Sequence, residues 1–93
     1  MGNEITMPNP YRPGSHLYHI FDILKNGDML FVQRIEYLLG HYMNDSSWRV
    51  WRKIPVPRRV RRVASALRTI RAHPRLNVIY DRYSETYRMV QLF

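Results

Sequence analysis

Residues 54–74 read IPVPRRVRRVASALRTIRAHP, a segment with six arginines and no acidic residue. Its aliphatic side chains recur at the three- and four-residue spacing of a helix, at Val60, Val63, Ala64, Leu67 and Ile70. Pro57 suits the first turn of a helix, and His73-Pro74 ends one, because the residue before proline avoids the helical conformation. The pattern predicts a helix over residues 57–72 with one buried stripe.

The opposite face of this predicted helix is polar and cationic. It carries Arg58, Arg61, Arg62, Ser65, Arg68, Thr69 and Ala72. Like charges three or four residues apart on a helix repel each other, so a surface helix usually mixes its charges. The lack of acid therefore indicates either an anionic partner for this face or acidic neighbours elsewhere in the fold.

The positive charge of the chain is concentrated in one third of its length. The 93 residues carry a net charge of +8, from 15 basic and seven acidic side chains. Ten of the basic residues and no acidic one lie between Ser46 and Tyr80, which leaves five basic and seven acidic residues, a net charge of −2, for the remainder. Most of the cations are arginine, whose planar guanidinium suits phosphate groups and base edges. This distribution predicts an anionic partner, most simply nucleic acid.

The composition argues against several other classes of protein. The chain has no cysteine, so it has neither a disulfide nor a thiolate metal site, and a cytoplasmic location is compatible. No apolar run is long enough to cross a bilayer, so we expect no membrane partner. His16 and His19 lack a nearby carboxylate motif, and we expect surface histidines there rather than metal ligands. No glycine-rich phosphate loop or nucleophile elbow is present, so we expect neither an enzyme nor a cofactor.

Two further helices are predicted before the cationic segment. Residues 1–14 contain three prolines and no periodicity, and we expect an irregular arm ahead of one domain of residues 15–93. Ser15 can cap a first helix that stops at Asn26-Gly27. Asp28 is placed to cap a second helix, which ends before the turn formers of residues 44–47. The apolar face of that helix is formed by Phe31, Val32, Ile35, Leu38, Leu39 and Tyr42.

The segments on either side of the cationic helix have a different pattern. Residues 48–57, WRVWRKIPVP, predict a loop or a short edge strand because two prolines close the segment. Trp48 and Trp51 could stack on bases, but packing over the core is the more common role of tryptophan in a small domain. Residues 76–93 are rich in Val, Ile, Tyr and Thr and predict a β-hairpin. A loop at Ser84-Glu85 would place Asp81 opposite Arg88 and Tyr80 opposite Met89.

The order helix, helix, loop, basic helix, hairpin resembles a winged helix-turn-helix DNA-binding domain over about residues 15–93. The resemblance implies an α+β fold of three helices followed by a C-terminal hairpin. It also implies that residues 57–72 form the recognition helix in the major groove, and that the hairpin is a wing with its tip near residues 82–88. Winged-helix domains usually have a short turn before the recognition helix, whereas about a dozen residues lie there in this chain.

The charge pattern and the resemblance together predict a nucleic-acid contact set. Its members are Arg49, Arg52, Lys53, Arg58, Arg59, Arg61, Arg62, Ser65, Arg68, Thr69, Arg82 and Arg88. The function implied is that of a small transcriptional regulator or an accessory factor of DNA transactions, with double-stranded DNA as partner.

Other readings of the same residues stay open. The chain could instead be a basic interaction protein that inhibits or assembles with an acidic protein, and Asp81 and Glu85 on the hairpin favour that alternative. The sequence also leaves open whether the target is DNA or RNA. A homodimer formed through residues 1–14 or Val90–Phe93 is a further open question.

Overall fold

The computed structural model describes residues 4–92, which form an α+β fold. The elements in chain order are α1 (His16–Leu24), β1 (Leu30–Phe31), α2 (Val32–Tyr42), α3 (Asp45–Trp51), α4 (Val56–Arg71), β2 (Leu76–Asp81) and β3 (Thr86–Gln91). The strands make one antiparallel sheet with the order β1-β3-β2. The predicted α+β class is confirmed, and the described residues contain one helix and one strand more than the sequence predicted.

The hydrophobic core lies between the helices and one face of the sheet. Its buried side chains are Ile20, Phe21, Ile23, Leu24, Ile35, Leu39, Trp51, Val63, Leu67, Ile70, Leu76, Val78 and Met89. The stripe predicted on the cationic helix is confirmed for Val63, Leu67 and Ile70, which are at most 2% exposed, whereas Val60 and Ala64 are partly buried. Burial of each such side chain stabilises the fold by about 1.5–3 kcal/mol, and this holds α4 against the other helices.

The first helix begins and ends as the sequence predicts. The backbone N–H of Tyr18 donates to the Ser15 hydroxyl at 3.1 Å, so Ser15 is the N-cap of α1. Gly27 has a φ of 85°, a left-handed conformation that glycine adopts without steric cost. The chain therefore reverses direction soon after Leu24.

The predicted start of the second helix is wrong. Asp28 does not cap α2, which begins at Val32. Leu30 and Phe31 form strand β1 against β3 instead. The ladder with β3 uses backbone groups that a helical turn capped by Asp28 would have used, and the N-cap moves by three residues, from Asp28 to Phe31.

The apolar face predicted for α2 is buried only in part. Ile35 and Leu39 are fully buried, whereas Phe31 and Tyr42 are about half exposed, at 52% and 47%. Phe31 lies outside the helix, and Tyr42 is its last residue. Full burial on this face is therefore limited to Ile35 and Leu39, while Val32 and Leu38 pack against the core and are partly buried.

The loop or edge strand predicted for residues 48–57 is wrong for most of the segment, since residues 52–55 alone lie outside helices. Residues 45–51 form α3, and the Asn44 side chain caps it by accepting the N–H of Ser47 at 2.8 Å. The polar residues that predicted a turn thus start a helix. Trp51, at the end of α3, is 2% exposed and belongs to the core, as the packing role predicted. Trp48 is 41% exposed and lies against Gly40 of α2.

The hairpin is present, but its predicted register is wrong by two residues. Asp81 lies opposite Thr86, Tyr80 opposite Tyr87, and Arg88 opposite Ile79, so the Asp81–Arg88 pair does not form. The connection has four residues, 82–85, because the Asp81 carboxylate accepts the N–H of Tyr83 at 2.9 Å and so organises a wider turn. A slip of two residues keeps every side chain on its predicted face of the sheet.

Residues 4–14 contain no helix or strand and run along the domain. The N–H of Ile5 donates to the carbonyl of Lys25 at 2.8 Å, and the N–H groups of Thr6 and Met7 donate to the Gln91 side chain. This segment therefore links the end of α1 to β3. The remaining parts of the two segments considered for dimerisation, residues 1–3 and Phe93, lie outside the described residues.

Candidate nucleic-acid interface

One side of α4 presents a row of exposed polar and cationic side chains, which we call the α4 cationic face. Its members are Arg58, Arg61, Arg62, Ser65, Arg68 and Thr69, all exposed. They recur every three to four residues, so they project from the same side of the helix. At a rise of about 1.5 Å per residue, Arg58 and Arg68 are about 15 Å apart along the helix axis.

Within the described residues, no acidic side chain forms an ion pair with a member of the α4 cationic face. The ion pairs within residues 4–92 are Lys25–Asp22 and Arg59–Glu36, and neither involves a member of this face. The Thr69 hydroxyl donates to the Ser65 carbonyl at 3.3 Å, which turns it back onto its own helix. An acidic neighbour elsewhere in the fold was one of two explanations for the acid-free arginine segment. Within residues 4–92 it applies to Arg59 alone among the arginines of α4, through Glu36.

Arg59 occupies a different place from the other arginines of α4. Its Nε lies 2.7 Å from Oε1 of Glu36, and the two side chains are only 14% and 12% exposed. Its Nη1 also lies 3.4 Å from the carbonyl oxygens of Trp51 and Arg52. Arg59 therefore connects α4 to α2 and α3 inside the fold, although the sequence placed it in the contact set.

The basic residues before α4 remain at the surface. Arg49 lies in the last turn of α3, Arg52 is its C-cap, and Lys53 follows in the connection to α4. All three are exposed. Positive charge at the C-terminal end of a helix is favourable, which gives these side chains a local electrostatic role besides any contact with a partner.

Arg88 of the hairpin lies on the side of the sheet that faces away from α4. Arg88 alternates with Met89, which is buried on the helix side, so Arg88 lies on the outer face of the sheet. It lines, with the exposed Arg82 and Tyr83, a surface pocket of about 430 Å³. The structure thus does not bring Arg88 and the α4 cationic face onto one surface.

Two tyrosines of the hairpin that are not in the predicted contact set lie beside α4. Tyr80 and Tyr87 are cross-strand partners with ring centroids 4.8 Å apart. They line a groove of about 200 Å³ with Arg68 and Arg71 of α4. The sequence contained a signal for this groove, because side chains two residues apart on a strand lie on the same face of the sheet. Tyr80 therefore shares a face with Val78, and Tyr87 shares one with Met89.

A second concave site lies between α1, α3 and α4, and we call it the α1–α3–α4 cavity. It has a volume of about 340 Å³ and is lined by His16, Ser46, Ser47, Val50, Trp51, Ile54 and Arg62. The His16 ring packs edge-on against Trp51, with centroids 4.8 Å apart. Burial lowers the pKa of His16 below its usual value, and the positive charges of Arg62 and His19 lower it further. Sequence reasoning missed this cavity because α3 was not predicted.

Residues 4–92 contain no cluster of three or more histidine or carboxylate side chains that could hold a metal ion. In the same range, none of the helices combines the length and the hydrophobicity that a membrane span requires. Comparison with protein families, with curated proteins and with solved structures found no match to this chain.

Proposed function

We propose that this protein binds double-stranded DNA through the α4 cationic face. The observation that carries the proposal is the combination of four exposed arginines, Arg58, Arg61, Arg62 and Arg68, with the absence of any acidic residue on the helix. Such a surface repels itself in isolation and is stabilised when an anion lies against it. Duplex DNA is a polyanion with the length and the regular charge spacing that a 16-residue helix can follow.

The chemistry of the face suits entry into a major groove. Arginine can donate two hydrogen bonds to guanine, and each such contact discriminates between bases by about 1–3 kcal/mol. Ser65 and Thr69 lie between the arginines and are short enough to let the helix approach bases or phosphates. In a winged-helix arrangement α4 is the recognition helix, and β2 and β3 form the wing.

The order of the elements supports the winged-helix reading. Helices α1, α2 and α4 precede the two strands of the hairpin, as in a winged-helix domain. The additional helix α3 occupies part of the long connection before α4. In such a domain wing side chains contact mainly phosphate, which positions the protein without reading sequence. With Arg88 on the outer face of the sheet, Arg82 in the turn is the better candidate for this contact.

An acidic protein is the rival partner for the same face. Of the two acidic residues that favoured this alternative, Asp81 accepts backbone N–H groups of its own turn, whereas Glu85 is exposed. Electrostatic attraction alone does not separate the two partners, since the same arginines would serve both.

Fluorescence anisotropy with a labelled random-sequence duplex, at two salt concentrations, tests the proposal. We expect binding that weakens steeply as salt rises, because phosphate contacts release counterions. An absence of measurable duplex affinity at low salt would reject DNA binding and favour the hypothesis of an acidic protein partner.

A further inference from the structure

We propose that the α1–α3–α4 cavity is a binding site for a phosphate group carried on a flat, partly apolar body, of which a nucleotide is the simplest example. This site goes beyond the proposed DNA binding and does not require it. The argument rests on the size of the cavity, on the polar groups that converge in it, and on the apolar wall beside them.

The size of the cavity matches a small ligand. Its volume of about 340 Å³ falls within the range of about 300–1,000 Å³ usual for small-molecule sites. It lies at the meeting point of three helices, so its walls are held by separate elements. Of its lining, Trp51 is 2% exposed and belongs to the core, whereas Ser46, Ser47, Val50 and Arg62 are exposed, so the site opens to solvent.

The polar groups that line the cavity all suit an anion. Arg62 offers a guanidinium, His16 an imidazole, and Ser46 and Ser47 offer hydroxyl donors, whereas none of the lining residues is acidic. His16 and Arg62 face the same space, and the charges near His16 are those of Arg62 and of His19 on its own helix. A phosphate between Arg62 and His16 would offset this unfavourable pairing of positive groups and stabilise the protonated imidazole.

The remaining wall suits a flat apolar group. It consists of Val50, Trp51 and Ile54. The indole Nε1 of Trp51 is buried and has no hydrogen-bond partner among the described residues, which is an unfavourable state for a donor. A ligand with a planar, partly apolar ring suits this wall.

Ligand binding can be followed at two groups in the cavity. Adenosine 5′-monophosphate and inorganic phosphate are titrated separately into the 93-residue chain carrying Trp48→Phe, which leaves Trp51 as its single tryptophan. Trp51 fluorescence reports occupancy, and the imidazole NMR signals of His16 report its protonation. We expect saturable binding, a rise in the pKa of His16 on binding, and tighter binding at lower pH because the protonated imidazole is favoured.

Variants decide whether the ligand occupies this cavity. Arg62→Gln should weaken binding of adenosine 5′-monophosphate at least about tenfold, since a charge-assisted hydrogen bond is removed. Arg71→Gln, the same charge change on the same helix but outside the cavity, should alter it less than about twofold. Should Arg62→Gln impair folding, the double variant Ser46→Ala, Ser47→Ala replaces it and should weaken binding in the same direction.

The outcomes also separate this proposal from the DNA-binding proposal. Binding of the free nucleotide by a protein without duplex affinity supports the cavity and rejects the α4 interface. A response of His16 to a short duplex, but not to adenosine 5′-monophosphate or phosphate, identifies a nucleic-acid backbone as the source of the phosphate. If no probe moves the His16 signals, or if Arg71→Gln weakens binding as much as Arg62→Gln, the cavity is not a phosphate site.

Discussion

The Nε atom of Arg59 lies 2.7 Å from Oε1 of Glu36, and this ion pair joins α4 to α2. Both side chains are largely shielded from water, at 14% and 12% exposure. The pair explains why an arginine inside the most basic segment is not part of the α4 cationic face. Within residues 4–92 neither charge has a second ion-pair partner, and the other contacts given for Arg59 are with the carbonyl oxygens of Trp51 and Arg52, at 3.4 Å.

Glu36→Ala should destabilise the fold by about 3 kcal/mol, the cost of leaving a largely buried charge unpaired. Urea unfolding measures this, with Arg58→Ala as the control, since that exposed neighbour should change stability by less than about 0.5 kcal/mol. In a double-mutant cycle with Arg59→Ala, the sum of the two single destabilisations should exceed the destabilisation of the double variant. Strictly additive effects would mean that the pair contributes no coupling.

Leu67→Ala should destabilise the fold by about 2–5 kcal/mol, because Leu67 is 2% exposed and its removal leaves a cavity under α4. Arg61→Ala, on the exposed side of the same helix, should leave the unfolding free energy unchanged or raise it slightly by reducing like-charge repulsion. Thermal or urea unfolding compares the two. An unchanged midpoint for Leu67→Ala would show that the buried stripe is misassigned.

Gly40→Ala should destabilise the fold through contact with one ring. A Cβ at position 40 would lie 2.7 Å from an atom of the Trp48 indole, closer than atoms can approach. Overpacking of this kind costs about 1–3 kcal/mol. In a Trp48→Ala background the sign should reverse, since alanine is favoured over glycine inside a helix by about 1 kcal/mol. The same destabilisation in both backgrounds would contradict this contact.

The partly buried position of His16 predicts a dependence of stability on pH. The folded state lowers the pKa of His16 from its usual 6.5, so the unfolded chain binds the proton more readily. Stability from this source is complete above about pH 6.5 and is lost as pH falls through the lower pKa of the folded state. His16→Gln should flatten the unfolding free energy between about pH 7 and pH 5. A profile identical to that of the parent would show that His16 does not contribute.

Changing Arg58, Arg61, Arg62 and Arg68 together to glutamine should weaken duplex binding and reduce its salt dependence. With about four to six phosphates neutralised, the parent affinity should fall by two to three orders of magnitude between 50 and 200 mM salt, at a slope of about −0.9 per phosphate. The slope should become shallower by about one for each phosphate that the variant no longer neutralises. Anisotropy titrations at several salt concentrations measure it.

The control for this quadruple variant is Arg34→Gln on the exposed side of α2, which should leave the salt slope unchanged. The quadruple variant should still fold, because glutamine is a good helix former and none of the four side chains is buried. A folded quadruple variant with the affinity and slope of the parent would show that α4 is not the nucleic-acid face.

Long-range pairing limited what the sequence could predict. The Ser15 cap and the stripe of α4 were predictable because each depends on residues a few positions apart. Asp28 has equally good local capping chemistry, but Leu30 and Phe31 pair with β3 near the other end of the chain. No local rule weighs a cap against a strand partner so distant in sequence.

The candidate sites divide in the same way. The α4 cationic face was predictable as a set of residue types on one side of a helix, whereas the α1–α3–α4 cavity was not, because its lining comes from three separate segments. The exclusion of Arg59 from the face depends on where Glu36 lies in space, and the position of Arg88 depends on the pleat of the sheet.

The sequence alone therefore determined which helix carries the charge and which of its sides is buried, because helical periodicity sets both within a few turns. The tertiary structure decided which arginines remain on the surface, where the hairpin turns, and which polar groups share a cavity. These outcomes depend on contacts between segments far apart in the chain, and the local sequence pattern of one segment does not give its spatial distance from another.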